Sequence, residues 1–165
     1  MFRTRTPAAA SAIFGAAALA TAAAIVTLAG IAAARPPRAS PAAGGRAQIR
    51  LMHTGLGNVL VDGRGFTVYA FSRDGKGKDR CATTSGCTQT WPVTRTQGSP
   101  RAGHGVRSSL LGTIRLRGGI TQVTYGGHPL YGYSGDSSRG QTDYVGASQF
   151  GGVWRAVKAS GSAVG

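Results

Sequence analysis

A chain of 165 residues has room for one modest domain once any targeting segment is set aside, which excludes a large multidomain enzyme. Basic residues number 19 against 5 acidic ones, all five of them Asp, for a formal net charge of +14. That balance points to a polyanion partner, whether nucleic acid, anionic lipid or an anionic cell-wall polymer, and leaves little material for chemistry based on paired carboxylates.

Residues 1–34 have the layout of an export signal. Arg3 and Arg5 stand near the start, and no charge follows from Pro7 to Ala34, only an Ala-rich run carrying Ile13, Phe14, Leu19, Ile25, Val26, Leu28 and Ile31. Ala32-Ala33-Ala34 before Arg35 supplies a small-x-small cleavage site. The uncharged run of 28 residues is also long enough to cross a bilayer as a hydrophobic helix, so an uncleaved anchor is the competing expectation. Thr4 separates Arg3 from Arg5, which does not make a twin-arginine signal. Residues 35–50, with Pro36, Pro37, Pro41, Gly44 and Gly45, hold too few large apolar side chains to order themselves; they are expected as a disordered tether, folding beginning near Ile49.

Residues 51–158 read as an all-β domain, since short alternating runs are punctuated by Gly-rich turns and none carries a helical period. The expected strands are 58–62, returning at 66–72 through Asp62-Gly63-Arg64-Gly65; a short one at 91–94; then 113–117, 120–125 and 128–134, separated by Gly118-Gly119 and Gly126-Gly127; and finally 153–158. The tail, 159–165, is expected to be disordered. One stretch is repeated: Tyr69-Ala70-Phe71-Ser72-Arg73-Asp74 returns as Tyr131-Gly132-Tyr133-Ser134-Gly135-Asp136 at an offset of 62, and Trp91 returns as Trp154 at 63. Two copies of one β-hairpin unit, about 56–95 and 113–158, are therefore expected in one small domain. A lone hairpin is marginal in water, so each copy's apolar face should be covered by the other's.

Cys81 and Cys87 are the two cysteines of an exported domain, and a disulfide closing that small loop is the leading reading, with redox or metal roles as alternatives. No histidine lies within the loop to complete a zinc set, and His53, His104 and His128 are far apart in sequence. Asp74 and Asp136 form the one patterned carboxylate pair; the alternative is that each accepts backbone N–H groups in its own turn. Asp74-Gly75-Lys76-Gly77-Lys78-Asp79 fails as a calcium loop, because lysines stand where oxygen ligands belong. The motif aromatics Tyr69, Phe71, Trp91, Tyr131, Tyr133 and Trp154 read as core, with a stacking platform for sugars or bases as the alternative. The arginines are scattered through the sequence with no block of like charge, which reads as a solvated surface rather than a concentrated site.

Taken in order, Leu60-Val61-Asp62, Gly65-Phe66-Thr67-Val68-Tyr69-Ala70-Phe71, Asp74, the Cys81 and Cys87 pair, Trp91-Pro92, Gly127-His128-Pro129-Leu130-Tyr131-Gly132-Tyr133, Asp136 and Trp154 resemble the bacterial secreted-repeat lipoproteins with a Yx(F/W/Y)xxD motif. The resemblance implies export and this architecture, and it carries no reaction, because that family is described as of unknown function. One departure concerns lipidation: Leu28-Ala29-Gly30 is followed by Ile31 where a lipobox would place Cys, so the chain is expected to be freely secreted or held by residues 7–34. No catalytic residue, metal or cofactor is expected. The leading expectation is a non-enzymatic binding module of the cell envelope. The alternatives are a protein binding an anionic envelope polymer, and an envelope redox accessory or hydrolase using Asp74 and Asp136.

Overall fold

The computed structural model describes residues 45–165; the expected export signal and most of the tether lie outside the described residues. The first strand, β1 (Gln48–Thr54), pairs antiparallel with β2 (Gly57–Asp62), from Ile49 opposite Asp62 to Thr54 opposite Gly57. Three residues assigned to the tether, 48–50, thus belong to the sheet. The strand was hard to read from sequence because Ile49 alone is fully buried, while Arg50 and His53 break the apolar pattern.

Asp62 closes the next turn with its own carboxylate, Oδ1 accepting the backbone N–H of Arg64 at 2.9 Å and of Phe66 at 3.0 Å. The chain then returns along β2, with Thr67 bridged to Val61, into β3 (Tyr69–Phe71). A loop closed by the Cys81–Cys87 disulfide and the one-turn helix α1 (Cys87–Thr90) follows. The run 91–94 lies as extended chain against Tyr131, through a bridge at Val93. Next, β4 (Arg101–Ala102) lies parallel on the start of β1.

The second repeat is built in the same order. β5 (Leu111–Arg115) pairs with β6 (Thr121–Tyr125), which turns at Gly126-Gly127 into β7 (His128–Pro129), with the strand path continuing to a bridge at Tyr131. Both turn glycines have positive φ, +58° and +84°, a conformation that side chains with a Cβ resist. β8 (Ser148–Gln149) and β9 (Gly152–Val157) form the last hairpin, and β10 (Ala163–Val164) adds to β9 at Val157 and Ala156. The tail expected to be disordered therefore ends as a strand: a turn in which Gly161 and Lys158 donate to Lys158 and Ser162 carbonyls folds it back onto the β9 edge.

The repeats interleave. Tyr69 N–H donates to Tyr131 O at 2.8 Å and Tyr131 N–H donates to Tyr69 O at 2.9 Å, so the equivalent tyrosines face each other in antiparallel register. On its other side β3 pairs with β9, bringing Phe71 opposite Trp154, while the Tyr131 strand is flanked by the 91–94 run. The lateral order is thus first repeat, second, first, second, and each motif strand lies between two strands of the other copy.

Two clusters form the core, and each draws on both copies. One holds Tyr69, Phe71, Trp91, both cysteines and Val93 with Tyr131 and Trp154; the other holds Ile49, Leu60 and Val68 with Val123, Tyr125, Leu130 and Val157. Trp91 and Trp154 stack at 4.0 Å between ring centroids with planes 3° apart. Gly152 is a glycine for steric reasons: a Cβ there would lie 2.5 Å from Phe71 Cε2. Because Trp154 is fully buried and stacks on rings from the first repeat, Trp154→Ala should cost about 3–5 kcal/mol of stability in urea unfolding. A loss under about 1 kcal/mol would mean that the repeats do not depend on this contact.

Candidate functional site

The motif residues are brought together, across the repeats rather than within them. Tyr131 Oη donates to Asp74 Oδ2 at 2.6 Å, and Tyr69 Oη reaches both oxygens of Asp136 at 3.3 Å. Each copy's tyrosine is therefore bound by the other copy's aspartate. The antiparallel pairing of the two tyrosines relates the copies by a local twofold, which sets each tyrosine beside the turn that ends the opposite copy's motif strand.

The turns hold the carboxylates in place. Asp74 N–H donates to Phe71 O and Asp136 N–H to Tyr133 O, the same turn at the 62-residue offset, and Asp74 Oδ1 accepts the Arg80 N–H at 2.7 Å. Asp74 thus has the backbone role expected of a turn aspartate together with a cross-repeat role. The two carboxylates are not brought together as a pair: each belongs to its own tyrosine.

Burial pushes the Asp74 carboxyl up from 3.8 to about 6, opposed by the hydrogen bonds from Tyr131 and the Arg80 N–H, with the neighbouring Asp79 charge adding to the rise. Burial, and then the negative charge of Asp74, hold the Tyr131 hydroxyl far above its ordinary range. The Tyr131 hydroxyl therefore keeps its proton and donates, and above about pH 6 Asp74 accepts as a carboxylate.

The aromatic residues face one another. Tyr69 meets Trp91 edge-on at 5.1 Å, Tyr131 meets Trp154 edge-on at 5.1 Å, and Phe71 stacks on Trp154 at 4.3 Å. All five rings are buried, so they are a core and present no platform to a ligand. Tyr133 is half-buried and leans on Trp91 at 4.5 Å and Tyr144 at 3.8 Å. Cys81 and Cys87 are disulfide-bonded and buried. His53 contacts Asn58 Oδ1 at 3.3 Å, His104 is exposed, and His128 lines a cavity of about 270 Å³ together with Asp74 and Arg155. Among the described residues no group of three or more His, Cys, Asp or Glu side chains is placed to hold a metal ion.

The larger opening is a cleft of about 450 Å³ between the disulfide loop of the first repeat and the β5–β6 turn of the second. Arg95, Arg115 and Arg117 line it, over an apolar surface that includes Pro92, Val93, Leu116 and Ile120. These arginines are far apart in the sequence. No spacing signal announces that strand interleaving gathers them, and all three are exposed to solvent around the one cleft.

A family model described as a secreted repeat of unknown function matches residues 51–95 and 112–158. No curated protein and no solved structure gives a match. Among the described residues no helix is long and apolar enough to cross a membrane.

The folded-state carboxyl of Asp74 holds its proton more tightly than the unfolded one, so the stability it contributes is full below about pH 4 and is lost as pH rises through about 6. The difference in melting temperature between the wild type and Asp74→Asn should accordingly shift against the wild type between pH 4 and pH 6.5 and level off above pH 7. A difference moving the other way would refute the assignment. Tyr131→Phe should cost about 1.5–3 kcal/mol at neutral pH, because it leaves a half-buried carboxylate oxygen without its donor. In a double-mutant cycle with Asp74→Asn the two losses should fall short of additivity by at least about 0.5 kcal/mol.

Proposed function

The chain belongs to this family of secreted repeats, and from that premise we propose that it works outside the membrane as a non-catalytic binding module of the cell envelope. The observation that supports this reading is the reciprocal exchange between Tyr131 and Asp74 and between Tyr69 and Asp136. Groups that take part in a reaction must be able to reach a substrate. Here the polar atoms of the repeated motif are engaged with one another, in and around the core, and the motif acts as a clamp between copies. The chemistry that faces solvent is the cleft between the copies, whose walls come from the disulfide loop on one side and the β5–β6 turn on the other.

A second reading, a hydrolase using a motif aspartate, has one observation in its favour: Asp74 and His128 line the same cavity of about 270 Å³. Asp136 does not line it, so the two-carboxylate form of that idea has no geometric support. A redox accessory using Cys81 and Cys87 is disfavoured by the burial of both, since exchange with a partner thiol requires access to a sulfur.

Co-sedimentation of the exported chain with detergent-extracted, lipid-free sacculi tests the proposal. The wild type should pellet with the sacculi, and Tyr131→Phe should pellet equally at temperatures where it remains folded. A chain that stays in the supernatant, or a turnover of sacculus material that Asp74→Asn abolishes without unfolding the protein, would overturn it.

A further inference from the structure

Three of the arginines that lie far apart in the sequence share one wall system. Arg95 follows the Trp91 run of the first repeat, whereas in the second Arg115 ends β5 and Arg117 stands in the turn after it. All three are exposed, and none has a carboxylate partner among the described residues. The cleft also has one acidic lining residue, Asp79, and its carboxylate is turned inward. Oδ1 accepts the Ala82 N–H at 2.6 Å, and Oδ2 has no contact with solvent. The charge the cleft offers to a ligand is therefore positive.

The opening does not end at the arginines. A neighbouring depression of about 440 Å³ shares Asp79, Thr83, Arg115 and Leu116 with it and adds Lys78 and Arg80. Five basic side chains thus line two adjoining openings that share Arg115 and Leu116. Between them Pro92, Val93, Leu116 and Ile120 form an apolar strip. A free anion would use the cations and leave that strip bare. A chain bearing anionic groups at intervals along a carbon backbone uses both.

The channel is not a by-product of duplication. Arg50 is opposite Val61 as Thr113 is opposite Val123, so Arg115 and Arg117 occupy the places held in the first repeat by Met52 and Thr54. There Met52 packs against Gly140 and Gly65, its sulfur lying 2.9 Å from where a Gly140 Cβ would stand. The second repeat substitutes arginines at both places and leaves the space open. Leu116 and Ile120 likewise replace His53 and Asn58, polar residues at the matching positions. Only Arg95 has a charged counterpart, Lys158 at the tryptophan offset.

We propose that the channel lined by Arg95, Arg115 and Arg117 is the binding site for a linear anionic polymer of the cell envelope, a glycan or polyol chain carrying phosphate or carboxylate groups. This deepens the binding-module reading and rests on it. Export places the domain among such polymers, and the excess of basic residues draws a polyanion toward it while the cleft fixes where the chain lies.

The test is retention of the exported chain on immobilised poly(glycerol phosphate) and on immobilised polygalacturonate, with uncharged dextran and double-stranded DNA as comparison matrices. The wild type should be retained on one or both anionic polymers at about 0.1 M salt, with affinity falling as salt rises. The triple change Arg95→Gln, Arg115→Gln, Arg117→Gln should weaken retention on the order of tenfold or more and flatten the salt dependence, with an unchanged melting temperature. Arg117→Gln alone should weaken it in the same direction, which covers failure of the triple variant to fold. A control triple change, Arg101→Gln, Arg107→Gln, Arg139→Gln, removes the same charge outside the channel and should leave retention within about twofold of wild type. Which of the two polymers is held more tightly identifies phosphate or carboxylate as the group read.

Equal losses from the two triple variants would overturn the site, as would retention on DNA matching that on the polymers. Pelleting with sacculi that neither salt nor the channel variants disturb would overturn the polyanion assignment while leaving the binding-module reading intact. Failure to pellet at all is the outcome that removes both.

Discussion

Two hydrogen bonds between Tyr69 and Tyr131 set the architecture. Equivalent residues that pair with each other in antiparallel register define a local twofold axis, and a twofold relation exchanges whatever lies on either side of it. The tyrosine of one copy must then meet the aspartate of the other, and the strand following each motif must flank the partner copy. This is why both apolar clusters mix residues from the two repeats and why neither hairpin unit retains a complete core alone. The cost of leaving an unpaired hairpin in water is avoided because each unit's missing sheet neighbours are supplied by the other. Cooperative unfolding of the whole β-domain follows from the same interleaving, since removing one motif strand unpairs strands of both copies.

The same arrangement accounts for the charge distribution. The chain has five acids, and each accepts a hydrogen bond from within the domain. Asp62 holds a turn, Asp74 and Asp136 accept from tyrosines, Asp79 accepts from the Ala82 backbone, and Asp143 accepts from Gln141 Nε2 at 2.8 Å. Five carboxylates against 19 basic residues leave the surface strongly positive. Arg64 beside Asp62, at 3.3 Å, is a short-range pair within one turn. Arg115 and Arg117 have no such neighbour among the described residues, so a modest number of arginines yields a strongly positive channel.

How much of this was legible in the sequence depends on the range of the interaction concerned. The aromatic positions of the motif, Tyr69, Phe71, Tyr131 and Tyr133, announced strand faces because side chains alternate with a period of two, and the matching halves announced duplication. The disulfide followed from two cysteines in an exported domain. Which aspartate binds which tyrosine was not legible. A motif repeated at one offset fits pairing within a copy and pairing across copies equally well, and the choice is made by the strand register at Tyr69 and Tyr131. β1 escapes the pattern because Arg50 and His53 interrupt it, and β10 because two residues, Ala163 and Val164, are too short a run for any pattern. The arginine channel was hidden for a related reason: Arg95 and Arg117 are separated by a whole β5 hairpin strand and a polar loop, and topology alone places them around one opening.

The cleft's two walls are fixed by different means, and the difference bears on binding. On the first repeat's side the loop after Asp74 is closed by the buried disulfide and by Asp74 accepting the Arg80 N–H. The corresponding loop after Asp136 has no disulfide; Gln141 Oε1 accepts the Ser137 N–H at 2.8 Å, and Tyr144 rests on Tyr133. Closing a small loop with a covalent bond removes conformers that a ligand would otherwise have to suppress, so less of the interaction energy goes into ordering the site. Lys78 and Arg80 lie in the stretch between Asp74 and Cys81 that these constraints hold, facing Arg115 from the opposite copy across the channel. The interleaved core fixes the distance between the two walls, and the disulfide fixes the shape of one of them. An extended charged chain of the kind proposed would therefore meet two walls that are already in place.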